Sequence, residues 1–338
     1  MSNTIASLGE FALIRELFLP LQWGPQPGEF DCHIGDDAAV LTIPRTQQLL
    51  TTVDTMVEGI HFGSDIDPAL LARKALRVNL SDMAAMGGVP HWYLLSLALP
   101  ATTPLAWARQ FADGLAEDSR HYHLSLVGGD TVASQTGSIT ITVTLLGLAG
   151  QQRAILRSTG QVGDRLLVSG TIGDSALGLA CRLGQIAPPH DPTDLDYLTR
   201  RHDLPEPRLE LSQMLQDSAL LHAAIDLSDG LIADLGHLCR QSQLGAQLHV
   251  DHIPLSSAAR RLYQRDGAAL EPLLFGGGED YELLLSASPG ALELIQQAAQ
   301  RCQVAVCEIG TLVRDSGITF CRAGQVIEPL SHTGWTHF

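Results

Sequence analysis

Lysine is almost absent from this chain. Lys74 is the only one, and the other twenty basic residues are arginines. With a formal net charge of −16, there is no basic face on which a nucleic acid could be held, so nucleic acid is excluded as a partner. A phosphate-handling site in such a chain cannot rest on lysine cradles. It needs metal ions to reverse the local sign. Long apolar runs are missing too. The longest clean one, near Trp92 to Leu99, is far too short to span a bilayer, so no membrane is expected. The N-terminus has no basic leader, and Glu10 interrupts its apolar stretch, so no signal peptide is read and the protein is expected in the cytoplasm. Six cysteines occur without a CxxC pair, which suits free thiols in a reducing compartment. There is no GxxxxGK[ST] loop, no HRD or DFG set, no HExxH among the thirteen histidines and no GxSxG elbow. These absences remove P-loop enzymes, protein kinases, zincins and serine hydrolases.

What remains is ordinary globular composition over 338 residues, with 45% apolar and 17% charged residues and 32 glycines. The length favours two domains, and a composition shift near Gly150 to Gly163 divides the chain at 1–150 and 151–338. Ser7 and Glu10 form a capping-box pattern ahead of a helix over about 8–19. Strands are expected over 38–43, 48–53, 92–99, 124–127, 139–148 and 165–169. Asp67-Pro68 starts a helix ending at Gly87-Gly88, and further helices are expected over 104–120, 173–183, 208–221 and 231–241. The stretch 187–207, with five prolines, reads as a long excursion. The whole is mixed α/β.

Four clusters of aspartate and glycine carry the chemical signal: IGDDAA (34–39), VGGDT (127–131), IDLSDG (225–230) and GGGEDYEL (276–283). Any one of them is ordinary turn chemistry. Asp54 and Asp82 are different. Asp54 ends an apolar strand, and Asp82 lies in a helix beside Leu80, Met83 and Ala84. A buried carboxylate needs a cation, so each either coordinates a metal or pairs with an arginine, for which Arg73 and Arg77 lie on the same helix. Taken together, the clusters suit Mg²⁺, which takes carboxylate and phosphate oxygens, with glycine flanks admitting phosphate to backbone N–H groups. Physical reasoning alone reaches a metal-dependent phosphate site. GTIGDSALG (170–178) lacks the GxGxxG spacing and reads as a strand-to-helix turn.

GEFALI, IGDDAAV, TTVDTMVEGIHF, ARKALRVNLSDMAAMG, VGGDT, ILRSTGQVGD, GDSALGLA, AIDLSDGLIADLGHL and GGGEDYELL follow one another in that order. In this order they resemble the thiamine-monophosphate kinase family, within the aminoimidazole ribonucleotide synthetase-like superfamily, from Gly9 to Phe338. The resemblance implies a two-domain α/β fold whose N-terminal domains pair into a β-barrel across a homodimer. It implies an N-terminal ATP/Mg-binding and dimerisation domain, a C-terminal domain completing the active site, and transfer of phosphate from ATP to thiamine monophosphate. By resemblance, Asp37, Thr52, Val53, Asp54, Asp82, Asp130, Asp226 and Asp229 would bind Mg²⁺. Val53 stands where the family usually has threonine, so it would contribute either nothing or a backbone carbonyl. Gly129, Asp130, Arg157 and Ser228 would contact ATP, and His61, Glu279 and Trp335 the thiamine phosphate. No residue is expected as a general base; the Mg-bound Asp54, Asp82 and Asp130 would carry catalysis. A sister enzyme with another acceptor, or a non-catalytic nucleotide or metal module, are the rival readings. The acidic positions are all present, and only His61, Glu279 and Trp335 argue for this acceptor over a sister's.

Overall fold

The computed structural model describes residues 4–22, 34, 37–135, 137–149 and 154–330, the side chain of Asp217 excepted. It divides into two compact units, Met1–Met83 with Val89–Ala149, and Ala84–Gly88 with Gly150–Phe338.

In the first unit, α1 (Ile5–Leu8) and α2 (Glu10–Leu13) are separated by Gly9 at φ +81°, and a π-helical turn, Ile14–Phe18, continues α2. The single capped helix expected over 8–19 does not form. Glycine takes a positive φ without a Cβ clash, and Ser7 Oγ donates to the Thr4 carbonyl (2.6 Å) as part of an earlier turn. Strand β1 (Leu49–Val57) is followed by α3 (Pro68–Ala85), β2 (Gly88–Pro100), α4 (Leu105–His121), β3 (Ser125–Ser134) and β4 (Thr140–Ala149). Asp67 caps α3 as expected, its carboxylate accepting from the Ala69 and Leu70 N–H groups at 2.8 and 3.0 Å. The sheet order is β1-β4-β2-β3. β1 and β4 run antiparallel, while β2 and β3 run parallel with α4 as their crossover. The sheet is open among the described residues, with β1 and β3 as its edges. Segment 38–43, expected as a strand, forms no strand. It makes a single β-bridge at Val40, and its Ala39, Leu41 and Ile43 pack on Trp92, Val127 and Leu148.

The second unit contains β5 (Arg165–Ser169), α5 (Asp174–Arg182), α6 (Pro192–Asp203), α7 (Leu209–Asp217), β6 (Ala223–Asp226), α8 (Leu231–Ser242), β7 (Gly245–His249), α9 (Ser257–Asp266), α10 (Glu271–Gly276), β8 (Leu283–Ala287), α11 (Leu292–Arg301), β9 (Val306–Val313), β10 (Gly317–Arg322) and β11 (Gln325–Ile327). The seven strands order as β11-β10-β7-β9-β5-β8-β6, with β7 and β10 the parallel pair. β8 is buried at every residue because strands flank it on both sides and helices cover the sheet, so LLLSA does not alternate. The expected excursion 187–207 instead contains α6. Asp191 accepts from Thr193 N–H (2.9 Å), and Pro192 occupies the first helical position, where a missing N–H has no consequence.

Candidate active site

In the first unit, β1 alternates. Thr52 and Asp54 turn inward, and Val53 points outward, 59% exposed. The Val53 side chain is therefore no ligand on the Thr52–Asp54 face; only its backbone could serve there. Thr52 Oγ1 donates to Asp82 Oδ2 at 2.5 Å, bringing the strand and α3 together. Burial, with the like charge of Asp82 added, pushes the Asp54 carboxyl from 3.8 to about 6. Arg73 and Arg77, the cations offered by the sequence, both engage Asp118 of α4, at 3.0 Å and 2.6 Å. Two half-buried carboxylates on one face, with the charge of Asp82 adding to the rise at Asp54, are the arrangement a divalent cation relieves.

Asp37 and Asp130 line one cavity of about 230 Å³, together with Gly128, Gly129 and the apolar Ile14, Phe18, Leu94 and Leu126. At Gly129 a Cβ would lie 1.9 Å from the Leu95 carbonyl oxygen, so only glycine fits between β2 and β3. His61 sits in the turn after β1, where Val57 N–H donates to its Nδ1 (3.0 Å). In the neutral ring the proton then lies on Nε2, which makes that nitrogen a donor suited to a phosphate oxygen.

In the second unit the IDLSDG and GGGEDYEL segments are joined by their backbones. Glu279 N–H donates to Ser228 O (2.8 Å), Tyr281 N–H to Leu227 O (2.9 Å) and Leu227 N–H to Glu282 O (2.8 Å). A Cβ on Gly278 would lie 2.3 Å from Ser228 O, which is why the second segment opens with glycines. Asp226 ends β6 and is buried; Ser228 and Asp229 are half-exposed. Arg157 is exposed, and its carbonyl accepts from Ser242 Oγ (2.9 Å). Arg157 and Asp229 both act electrostatically on His237 of α8, whose pKa burial and Arg240 lower. Trp335 lies outside the described residues.

The structure adds residues that the sequence did not single out. Asp234 accepts from Asp229 N–H (3.0 Å), and burial followed by the Asp229 charge pushes it up to about 7. Asp280, fully buried, accepts from the Gly173 and Ser175 N–H groups at 2.7 and 3.3 Å; burial pushes it up to about 8, with Asp174 adding to the rise. These amides open α5, so GTIGDSALG is the strand-to-helix turn expected, docked on the GGGEDYEL segment. Glu282, also fully buried, accepts from Arg201 (2.8 Å), Arg208 (2.5 and 2.7 Å) and Ser169 (2.6 Å). The available signal was proximity in sequence: Asp280 and Glu282 lie one and three positions after Glu279 in the same motif.

Among the described residues no three His, Cys, Asp or Glu side chains are gathered tightly enough to hold a metal by themselves. Hard oxygen donors in pairs still fit Mg²⁺, which keeps waters and takes phosphate oxygens for its remaining positions. The described cysteines, Cys181, Cys239, Cys302, Cys307 and Cys321, are free. No helix among the described residues is long and apolar enough to cross a membrane.

Residues 35–149 match the family described as "AIR synthase related protein, N-terminal domain", and residues 161–321 match its C-terminal domain counterpart. The chain is 41% identical to thiamine-monophosphate kinase of Escherichia coli K12 over 334 residues, 98% of each protein. Its structure is similar to that of thiamine-monophosphate kinase from Stenotrophomonas maltophilia K279a, with TM-score 0.77 and 35% identity over 87% of this chain and 91% of that one. It is also similar to AaThiL complexed with AMPPCP and TMP, with TM-score 0.74 and 32% identity over 98% of each chain.

Proposed function

The chain belongs to the thiamine-monophosphate kinase family, and from that premise we propose that it transfers the γ-phosphoryl group of ATP to thiamine monophosphate, giving thiamine diphosphate and ADP. The observation that carries the chemistry is the inward-facing pair Asp54 and Asp82, bridged to β1 through Thr52. Two half-buried like charges this close favour a cation between them. Asp37, Thr52, Asp54, Asp82 and Asp130 of the first unit would hold Mg²⁺, as would Asp226 and Asp229 of the second. Mg²⁺, when bound, supplies neutralisation of the repulsion between two polyanions and in-line alignment.

The acceptor is a phosphate monoester with a second pKa of about 6, so it is already nucleophilic at neutral pH. No side chain has to remove a proton. Direct transfer is therefore favoured over a phosphoenzyme; trapping a phosphorylated aspartate or histidine during turnover would refute it. Gly129, Arg157 and Ser228 would contact ATP, Arg157 through its solvent-facing guanidinium and Ser228 through its hydroxyl. His61 Nε2–H would donate to the acceptor phosphate. The outer face of the N-terminal sheet exposes Val53 (59%) and Val132 (50%) on its two edge strands, and this supports pairing of that sheet in a homodimer. Free thiols support a cytoplasmic location.

The deciding experiment is incubation of the pure protein with ATP, Mg²⁺ and thiamine monophosphate, with products resolved by chromatography. Thiamine diphosphate should appear with matching ADP and vanish with chelator. ADP alone would remove the acceptor assignment, and no turnover by folded protein would remove the kinase reading.

A further inference from the structure

We propose that His202 positions the Glu279 carboxylate for the ring end of the acceptor, and so sets the affinity for thiamine monophosphate without touching it. The proposal rests on the reading of Glu279 as an acceptor contact. A carboxylate repels a phosphate, so Glu279 would face the cationic thiazolium or the aminopyrimidine, both of which suit an anionic acceptor of hydrogen bonds.

The backbone of this segment is fixed without His202. Glu279 and Tyr281 take left-handed conformations, at φ +67° and +51°. Such conformations in side-chain-bearing residues persist where the surroundings over-determine them. Here the surroundings are the Glu279 N–H bond to Ser228 O (2.8 Å), the Tyr281 N–H bond to Leu227 O (2.9 Å), the Asp280 carboxylate on Gly173 N–H (2.7 Å), and Arg201 Nη2 on Asp280 O (3.2 Å). His202 bonds instead to the side chain. Its Nδ1 lies 3.0 Å from Glu279 Oε2 and 3.1 Å from Ser175 Oγ.

A carboxylate only accepts, so the bond to Glu279 places the proton on Nδ1. Ser175 in turn is tied down through its backbone N–H to Asp280 (3.3 Å). Within this network Asp280, Glu282, Arg201 and His202 are all buried, and only the Glu279 side chain reaches solvent, at 26% exposure. The network thus ends at one presented carboxylate. A glutamate held in one rotamer loses less freedom on binding than a mobile one, which is the physical content of positioning.

The test is steady-state kinetics of the full chain with Mg²⁺ and ATP. Losing a hydrogen bond to a charged group should raise the KM for thiamine monophosphate about tenfold in His202→Ala. The KM for ATP and kcat should change by less than about twofold, because the backbone bonds are untouched. His202→Asn, whose amide can donate to the same carboxylate, should recover most of the loss, and it guards against a folding defect in the alanine variant. In a Glu279→Ala background, His202→Ala should change nothing further. Additive effects in that cycle, equal changes in both KM values, or an unaltered KM for thiamine monophosphate in His202→Ala would overturn the proposal. If Glu279→Ala itself leaves that KM unchanged, the underlying assignment of Glu279 falls, and the proposal with it.

Discussion

Replacing Glu282 by glutamine removes one negative charge from a site buried away from bulk solvent. The side chain is fully buried and accepts four bonds, from Arg201, twice from Arg208, and from Ser169, all between 2.5 and 2.8 Å. Burial alone would push its carboxyl up, but the Arg208 and Arg201 charges outweigh that and hold it below the ordinary glutamate range. In Glu282→Gln an amide N–H₂ faces the guanidinium groups, and two half-buried or buried cations lose their counter-charge. Breaking a buried pair from one side destabilises by about 3–5 kcal/mol. For a unit of roughly 150–250 residues that lowers the melting temperature by about 6–20 °C. The assay is thermal unfolding followed by circular dichroism at neutral pH and again in acid. Because the folded carboxyl is lowered, its stabilisation is complete above the unfolded value of 4.5 and is lost as the pH falls through the folded value. The gap between wild type and variant should therefore be full at pH 7 and close in acid. A variant within about 1 kcal/mol of wild type at pH 7, or a gap that widens in acid, would refute the reasoning.

Asp54→Asn should lower kcat by about 10²–10³-fold, and the rise in melting temperature that Mg²⁺ produces in wild type should shrink in the variant, as read by calorimetry. Gly278→Ala places a Cβ 2.3 Å from Ser228 O, so the two motif segments must part. A loss of about 1–3 kcal/mol in stability is expected by chemical denaturation. Val53→Thr should leave kcat and the Mg²⁺ dependence within about twofold, because the side chain points away from Thr52 and Asp54 and surface substitutions of this kind are close to neutral; restoration of a tighter Mg²⁺ requirement would put the Val53 side chain back among the ligands.

The site was legible where spacing sufficed. Asp54 and Asp82 stood out because a carboxylate among apolar neighbours needs a reason, and the structure brings both, half-buried, to one face. The arginine alternative was equally readable, and only packing decided it: Arg73 and Arg77 turn to Asp118, forty-odd positions away. α6 was missed although Asp191-Pro192 repeats the pattern that correctly started α3 at Asp67-Pro68; proline density in the surrounding stretch masked it. With it went Arg201, which bonds the Asp280 carbonyl, and His202, which meets the Glu279 side chain. The Ser7–Glu10 capping box failed for a local reason, since Gly9 could leave the helical region at no steric penalty.

The sequence by itself determined the family and the order of the aspartate and glycine motifs, which are properties of the linear order, and the N-cap of α3, which depends on neighbours two and three residues away. The tertiary structure alone decided which charges meet. Glu282 with Arg201 and Arg208, Asp54 with Asp82, and His202 with Glu279 are separated by tens of residues, and electrostatic energy follows distance in space, not position along the chain.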